Sequence, residues 1–370
     1  MNWKTVIRVG GAYLAYQVGA GFATGQEAVQ YFASYGGWYP IILPLFCAVI
    51  MAVYCSSHYR MGFSSSFSNP NEVYESYCGK YPGKVMAVFS NVVIALTGLL
   101  MFAGSGATLN QYWGLPVWVG ALLMGVLSAF VVCLGLEKVT TVLGSCGIFI
   151  IVVVIFAGLY NVVTADVSMM EAQANMASYV ASGRFLQISV FGSTNPFLVT
   201  FSYATMALIL VVPYNVAMGS SECRSKKECI ASGIVATVFF TMALIAVIFS
   251  IVYNLDYIAS KDGNIYIMSA IENSLPWLKL PYTLLITCGI FTTITGYLWS
   301  VGRWVAPDGT NKQRIVVILM ALIGITVGSV IPLDKLVNII LPIAGYVGMV
   351  LFVFIIIAEA KALIKKPTAN

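Results

Sequence analysis

Residues 12–32 read AYLAYQVGAGFATGQEAVQYF. The stretch lies inside an apolar run over about residues 6–33, long enough for the roughly 20 residues that cross a bilayer as a helix. Its middle is made of poor helix formers. Gly19, Gly21 and Gly25 fall there, with Ala20 between the first two. Each glycine costs a helix about 1 kcal/mol relative to alanine. The midpoint between Arg8 and Tyr35 falls near Gly21, so the weak point sits near the bilayer centre. Unwound backbone at that depth is tolerated only where it is buried in protein or lines a cavity. Amides at a half-helix start then attract carboxylates, and freed carbonyls attract cations. Glycine alone favours plain close packing of helices, which is common in membranes. Glu27 shifts the balance. It is the acidic residue set deep within an apolar run, about 9 Å outside the centre at about 1.5 Å per residue. Ionisable groups at such depth are costly and are read as functional by default. Binding a substrate amine, coupling to a proton, and closing an outer gate with Gln26 are the roles open to it. A structural hydrogen bond reaching the interface is the competing reading.

The rest of the chain places this stretch in a polytopic membrane protein. Of 370 residues, 59% are hydrophobic and 9% charged, against about 25% charged in soluble domains. Apolar runs give ten spans, at about 6–33, 38–59, 85–109, 115–135, 140–163, 195–219, 230–253, 281–302, 314–332 and 336–360. The first run is too long and glycine-rich for a cleaved signal. The chain reads as a single transmembrane domain over 1–370, with longer connections at about 164–194 and 254–280. The second contains IYIMSAIENSLPW, which suits short helices folded back as a cap. With the N-terminus cytoplasmic, Arg184, Lys261, Lys279 and Lys335 fall outside and the other fifteen of 19 basic residues inside. That asymmetry sets both termini in the cytoplasm and the chain in the cell membrane.

Several function classes drop out. The basic residues are scattered between spans, so no nucleic-acid partner is expected. His58 is the single histidine, which removes most metal and histidine-based catalytic schemes. Cys223 and Cys229 share a loop, but no further ligand stands near enough for zinc. No cofactor and no enzymatic activity are expected.

Two other spans carry polar interruptions. Span 6, PFLVTFSYATMALILVVPYN, holds Ser202, Tyr203 and Thr205 between Pro196 and Pro213. Hydroxyls in a helix often bond only their own backbone, so the signal is weak by itself. Span 8, LPYTLLITCGIFTTITGYLWSVGRW, clusters Thr292, Thr293 and Thr295 at its midpoint, with Gly289 one turn before. Adjacent hydroxyls and carbonyls are hard oxygen ligands suited to a small cation. Threonine is equally an ordinary helix-contact residue in membranes.

The segment GAGFATGQE, with ten spans and this loop pattern, resembles the YkvI-type bacterial membrane proteins. These are placed among sodium/neurotransmitter-symporter-like transporters of the amino acid–polyamine–organocation superfamily. The resemblance implies the LeuT fold: an all-α membrane protein of two inverted five-helix repeats, here about 4–164 and 195–362, with helices 1 and 6 broken around a central site. It implies that backbone at Gly19, Ala20 and Gly21 holds a substrate carboxylate, and that the helix 6 break falls at Ser202, Tyr203, Ala204 and Thr205. It implies a sodium site of carbonyls at Ala15 and Val18 with Gly289, Thr292 and Thr293 on helix 8. Two departures stand out. Phe22 replaces an asparagine that serves another sodium site in neurotransmitter-type symporters, and helix 6 lacks the expected glycine. Phe22 and Tyr203 would instead shape a small aromatic pocket. The expectation is a sodium-coupled symporter of a small amino acid-like solute working by alternating access. Proton coupling through Glu27 and a non-transporting sensor are the alternatives.

Overall fold

The computed structural model describes residues 1–261, 265–331 and 333–364. Lys365 and Lys366 of the charge reading lie outside these residues, as do the side chains of Ala20 and Lys335.

Span 1 is three helices in file: α1 (Trp3–Gln17), α2 (Ala20–Thr24) and α3 (Gln26–Tyr31). Span 2 is α4 (Tyr39–Ser64). A short α5 (Val73–Cys78) precedes α6 (Lys80–Trp113), which is span 3. Spans 4 and 5 are α7 (Val117–Cys133) and α8 (Leu136–Val163). The first long connection carries α9 (Met169–Ala172) and α10 (Met176–Ala181). Spans 6 and 7 are α11 (Pro196–Glu222) and α12 (Lys226–Val252). The second long connection folds into α13 (Leu255–Ala259) and α14 (Tyr266–Ser274). Spans 8 to 10 are α15 (Lys279–Val305), α16 (Asn311–Val330) and α17 (Leu333–Ile364). Among the described residues, 8 helices are long and apolar enough to cross a bilayer. Shorter α7 and segmented span 1 complete the ten.

Local chemistry sets the ends of these helices. The Asn195 side chain accepts from the amides of Phe197 and Leu198, and Pro196 opens α11. Ser225 caps α12 and Thr310 caps α16 in the same way. Such caps satisfy amides that the first turn leaves without partners.

The ten spans place the start of α1 and the end of α17 on one side, called here the terminal face, and the long connections on the other, the loop face. Helix contacts follow a pattern. α1 packs on α8 as α11 packs on α17, and α4 on α11 as α12 on α1. α6 meets α7 as α15 meets α16, and α8 meets α15 as α17 meets α6. Exchanging the first five spans for the last five carries each of these contacts onto another, the form of two interlocked five-helix repeats. Burial separates centre from rim. The apolar stretch of α11 is 83% buried and that of α15 78%, while that of α16 is 28%. On the rim, Val85, Phe89, Val92 and Leu96 of α6 form an exposed apolar stripe. Their helical spacing marks a lipid-facing side. Where α4 crosses α11 the backbones touch: Gly62 lies against Val216 and Gly219 against Tyr59.

The terminal face is tied shut by polar contacts. Arg8 pairs with Glu222, and Arg60 with Glu359. The Asp308 carboxylate accepts from Trp299 Nε1 (3.1 Å), Gln313 Nε2 (2.7 Å) and the Leu136 amide (2.8 Å). It thereby joins the ends of α15, α16 and α8. A crevice of about 230 Å³ opens beside it, lined by Ala217, Trp299 and Arg303 among others.

Candidate functional site

The site begins where α1 stops. Val18 (φ −76, ψ 71) leaves helical geometry and Gly19 (φ −80, ψ −175) is fully extended. The Gly19 amide turns to the Gln17 carbonyl at 2.8 Å, so the Ala15 carbonyl loses the partner that an unbroken helix would supply. α2 then runs for five residues without a side-chain cap. Gly25, at φ +82, makes a second corner before α3. Only glycine adopts that backbone without strain, and a β-carbon there would also press on Ile251 of α12.

Helix α15 supplies what the broken helix lacks. Thr292 Oγ1 donates within 2.7 Å of the Ala15 carbonyl and 2.9 Å of the Gly289 carbonyl. Thr293 Oγ1 lies 3.1 Å from the Tyr16 carbonyl, 3.0 Å from that of Gly289 and 3.4 Å from that of Ala15. Gly289 lets the helices close, since a β-carbon on it would stand 2.9 Å from the Val18 carbonyl. Ala15, Val18, Gly289, Thr292 and Thr293 are thus brought to one spot, joined by the Tyr16 carbonyl, which the sequence reading did not include. All these atoms are neutral oxygens, and both hydroxyls are fully buried. A hard cation takes oxygen ligands of this kind. The hydroxyl protons would swing away to expose the lone pairs.

Above this cluster the chain folds back on itself. The Glu27 carboxyl packs against Gly21, in the space a β-carbon there would fill. Tyr203 of α11 donates to Glu27 Oε2 at 3.0 Å. Glu27 is 8% exposed, so it sits inside the protein rather than at an interface. The ion pairs among the described residues leave Glu27 without a cationic side chain. Aromatic rings surround the pair. Tyr203 contacts Tyr31 (4.9 Å between centroids), Phe32 (5.0 Å) and Phe240 (6.5 Å), and Phe22 meets Phe240 at 5.4 Å. Phe22 and Tyr203 therefore meet through Phe240 of α12. On the side of Gly19 the wall is Met101 of α6. From the loop face, α14 closes over the site, with Ile267 against Gly25.

Span 6 differs from the expectation. α11 is continuous through Ser202, Tyr203, Ala204 and Thr205, so the expected break is absent. The segment has neither glycine nor proline to open it, and Pro213 lies further along. Ser202 and Thr205 also turn away from α2. Thr205 Oγ1 lies 2.9 Å from the Phe201 carbonyl and 3.2 Å from that of Gly345. Ser202 packs against Gly345 of α17. Of the hydroxyls expected from span 6, Tyr203 alone reaches Glu27.

Sequence reasoning missed Tyr31, Phe32, Met101 and Phe240. Phe240 and Met101 are ordinary apolar residues on other spans, and only the packing of α12 and α6 around the broken helix brings them here.

No family model matches the chain. It is 24% identical over 343 residues, 91% of each chain, to YkvI, an uncharacterized membrane protein of Bacillus subtilis strain 168. It is 26% identical over 332 residues to the uncharacterized protein YyaD of the same strain, covering 87% of this chain and 86% of that one. Among solved structures it is similar to a Na+-coupled sialic acid symporter in a substrate-bound outward-open state. The TM-score is 0.64 at 13% identity, over 95% of this chain and 78% of that one. MhsT in complex with L-phenylalanine gives a TM-score of 0.68 at 13% identity, over 95% of this chain and 88% of that one. A manganese transporter of Eremococcus coleocola gives 0.55 at 13% identity, over 98% and 78%. The chain is a multi-pass membrane protein with the LeuT fold.

Proposed function

We propose that this protein is a secondary-active transporter that couples sodium to the movement of a small, amino acid-like zwitterion across the cell membrane, with its terminal face in the cytoplasm. One observation carries the reading. The carbonyls set free by the break in span 1 converge with the Thr292 and Thr293 hydroxyls, next to a buried carboxylate that has no cationic side chain among the described residues. Two of the structures with this fold are a Na+-coupled symporter and a protein crystallised with an amino acid.

A cation held by Ala15, Val18, Gly289, Thr292 and Thr293 would join α1 to α15. Binding would fix the end of α1 and, through it, the extended Val18–Gly19 segment. The backbone at Gly19, Ala20 and Gly21 is the candidate for a substrate carboxylate. Glu27 is the candidate for the substrate amine, oriented by Tyr203. Phe22 and Phe240 would limit side-chain size. Alternating access would then open the terminal-face crevice as α14 closes the loop face, and the reverse.

Uptake of a mixed labelled amino-acid pool into proteoliposomes tests this, with inward sodium or inward proton gradients imposed in parallel. Accumulation driven by sodium is the expected result. Accumulation driven by protons alone would assign coupling to Glu27, a second reading that its burial beside Tyr203 supports. Binding without accumulation under either gradient would mark a sensor built on this fold and overturn the proposal.

A further inference from the structure

His58 is the only histidine of the chain. It lies on α4 and is 0% exposed, and among the described residues neither ring nitrogen has a hydrogen-bond partner. A buried imidazole with two idle nitrogens is costly, and such groups in native proteins are commonly satisfied by ordered water. Its neighbours are not apolar filler. The Tyr54 ring lies 5.6 Å away on one side and the Tyr77 ring 6.1 Å on the other.

Both tyrosines continue into polar files. Tyr54 OH meets Tyr13 OH at 2.9 Å, and Tyr13 OH accepts from Gln17 Nε2 at 3.2 Å. Gln17 is the last residue of α1, at the edge of the break. In the other direction, Tyr77 OH meets Ser57 Oγ at 2.7 Å. Ser57 Oγ donates to Glu359 Oε1 at 2.5 Å, and Glu359 pairs with Arg60 at the terminal face. His58 sits at the gap between two hydrogen-bonded chains. One reaches the centre of the protein and the other its surface. Tyr59 OH, Tyr74 OH, Tyr214 OH, Asn215 Oδ1 and Ser232 Oγ are also buried, with no partner among the described residues. They lie on α4, α5, α11 and α12, and α4 packs against both α11 and α12.

We propose that His58 bridges a hydrated proton path running from the break in span 1 to the terminal face, a proton-conducting function separate from the sodium and substrate site. A proton arriving on Glu359 passes to the Ser57 and Tyr77 hydroxyls, each giving up one proton as it takes another. It is bound by one ring nitrogen of His58 through a bridging water, while the other nitrogen releases a proton through Tyr54 and Tyr13 to water at the break in span 1. One proton moves and every hydroxyl ends as it began, so no co-reactant is needed. Titratable groups on the elements around His58 include Tyr54, Cys55, Tyr59 and Arg60 on its own helix and Tyr74, Glu75, Tyr77 and Cys78 on α5. Further ones are Tyr214 and Glu222 on α11, Glu228 and Cys229 on α12 and Glu359 on α17.

The single histidine makes the test direct. Protein labelled with 15N-histidine and purified without a histidine tag gives one imidazole signal. Magnetisation transfer from water to that ring in lipid is expected, as is a shift in the signal on Glu359→Gln. A ring that receives no transfer from water and ignores Glu359→Gln is sealed in the core, and the path does not exist. These readouts need no substrate, so they hold even if the transport reading fails. Ser57→Ala, which cuts the file between Tyr77 and Glu359, should also lower the transfer from water to the ring. Wild-type transfer in a folded Ser57→Ala protein would overturn the proposal.

Discussion

Gly21 lacks a side chain, and the Glu27 carboxyl lies where one would begin. That contact makes a sharp expectation at the scale of one atom. Gly21→Ala should push Glu27 off its bond to Tyr203, since overpacking costs about 1–3 kcal/mol when neighbours cannot yield. Substrate uptake should fall to the level of Glu27→Gln, while the protein stays monodisperse on gel filtration. Uptake equal to wild type in Gly21→Ala would show that the contact is incidental. The proposed cation site permits an equally local test. Thr293→Ala removes one oxygen from the group around Gly289, and the sodium concentration for half-maximal uptake should rise roughly tenfold, about 1.4 kcal/mol. Thr293→Ser keeps the oxygen and should restore it. Substrate preference should not change in either.

Helix α11 shows why one face of an element has to be known before its residues are assigned. Its hydroxyls Ser202, Tyr203 and Thr205 look alike in the sequence, yet only Tyr203 turns to Glu27, while Ser202 and Thr205 meet Gly345 and Gly348 of α17. Tyr203→Phe should therefore weaken substrate binding, and Ser202→Ala should leave it within about twofold, the scale of ordinary surface-like changes. Gly348→Val should act differently again and lower thermal stability, because its β-carbon would collide with the Thr205 backbone. A scintillation-proximity binding assay and a melting curve on the three variants separate these outcomes. The span positions were legible in the sequence because hydropathy acts locally, and so was the weak point of span 1, although glycine alone favoured close packing and the break itself rested on Glu27 and the family resemblance. The Thr292–Thr293 pair stood out through spacing on one helix, but its meeting with the carbonyls at Ala15 and Val18 was implied only by the family resemblance. The continuity of α11 and the ring cluster of Tyr31, Phe32 and Phe240 were not legible. They depend on which faces of distant helices meet, and an apolar residue carries the same signature in either place.

Across the whole molecule the two faces are closed by different means. The loop face is covered by α14, and the Arg184 guanidinium holds the neighbouring turn through the carbonyls of Ile258 (2.8 Å) and Ala259 (3.0 Å). The terminal face is held by Asp308, whose carboxylate joins three helix ends. Asp308→Ala leaves the Leu136 amide, Trp299 and Gln313 without that acceptor and should favour opening of the crevice. In a cysteine-free background, a reporter at Ala217→Cys, 6% exposed in wild type, should then react faster with a water-soluble maleimide. An unchanged rate would mean that the Arg8–Glu222 and Arg60–Glu359 pairs suffice. The placement of the proposed cation ligands has a practical consequence. Three carbonyls come from α1 in the first repeat, and the remaining oxygens come from α15 in the second. An ion seated there would act as a rivet between the halves, so its occupancy would be readable as heat resistance. A ligand at 100 times its dissociation constant adds about 2.7 kcal/mol to the folded state. Melting the protein in sodium against potassium or choline would rank the ions by affinity before any substrate is known. The same scan repeated with candidate solutes would then show which solute tightens the rivet.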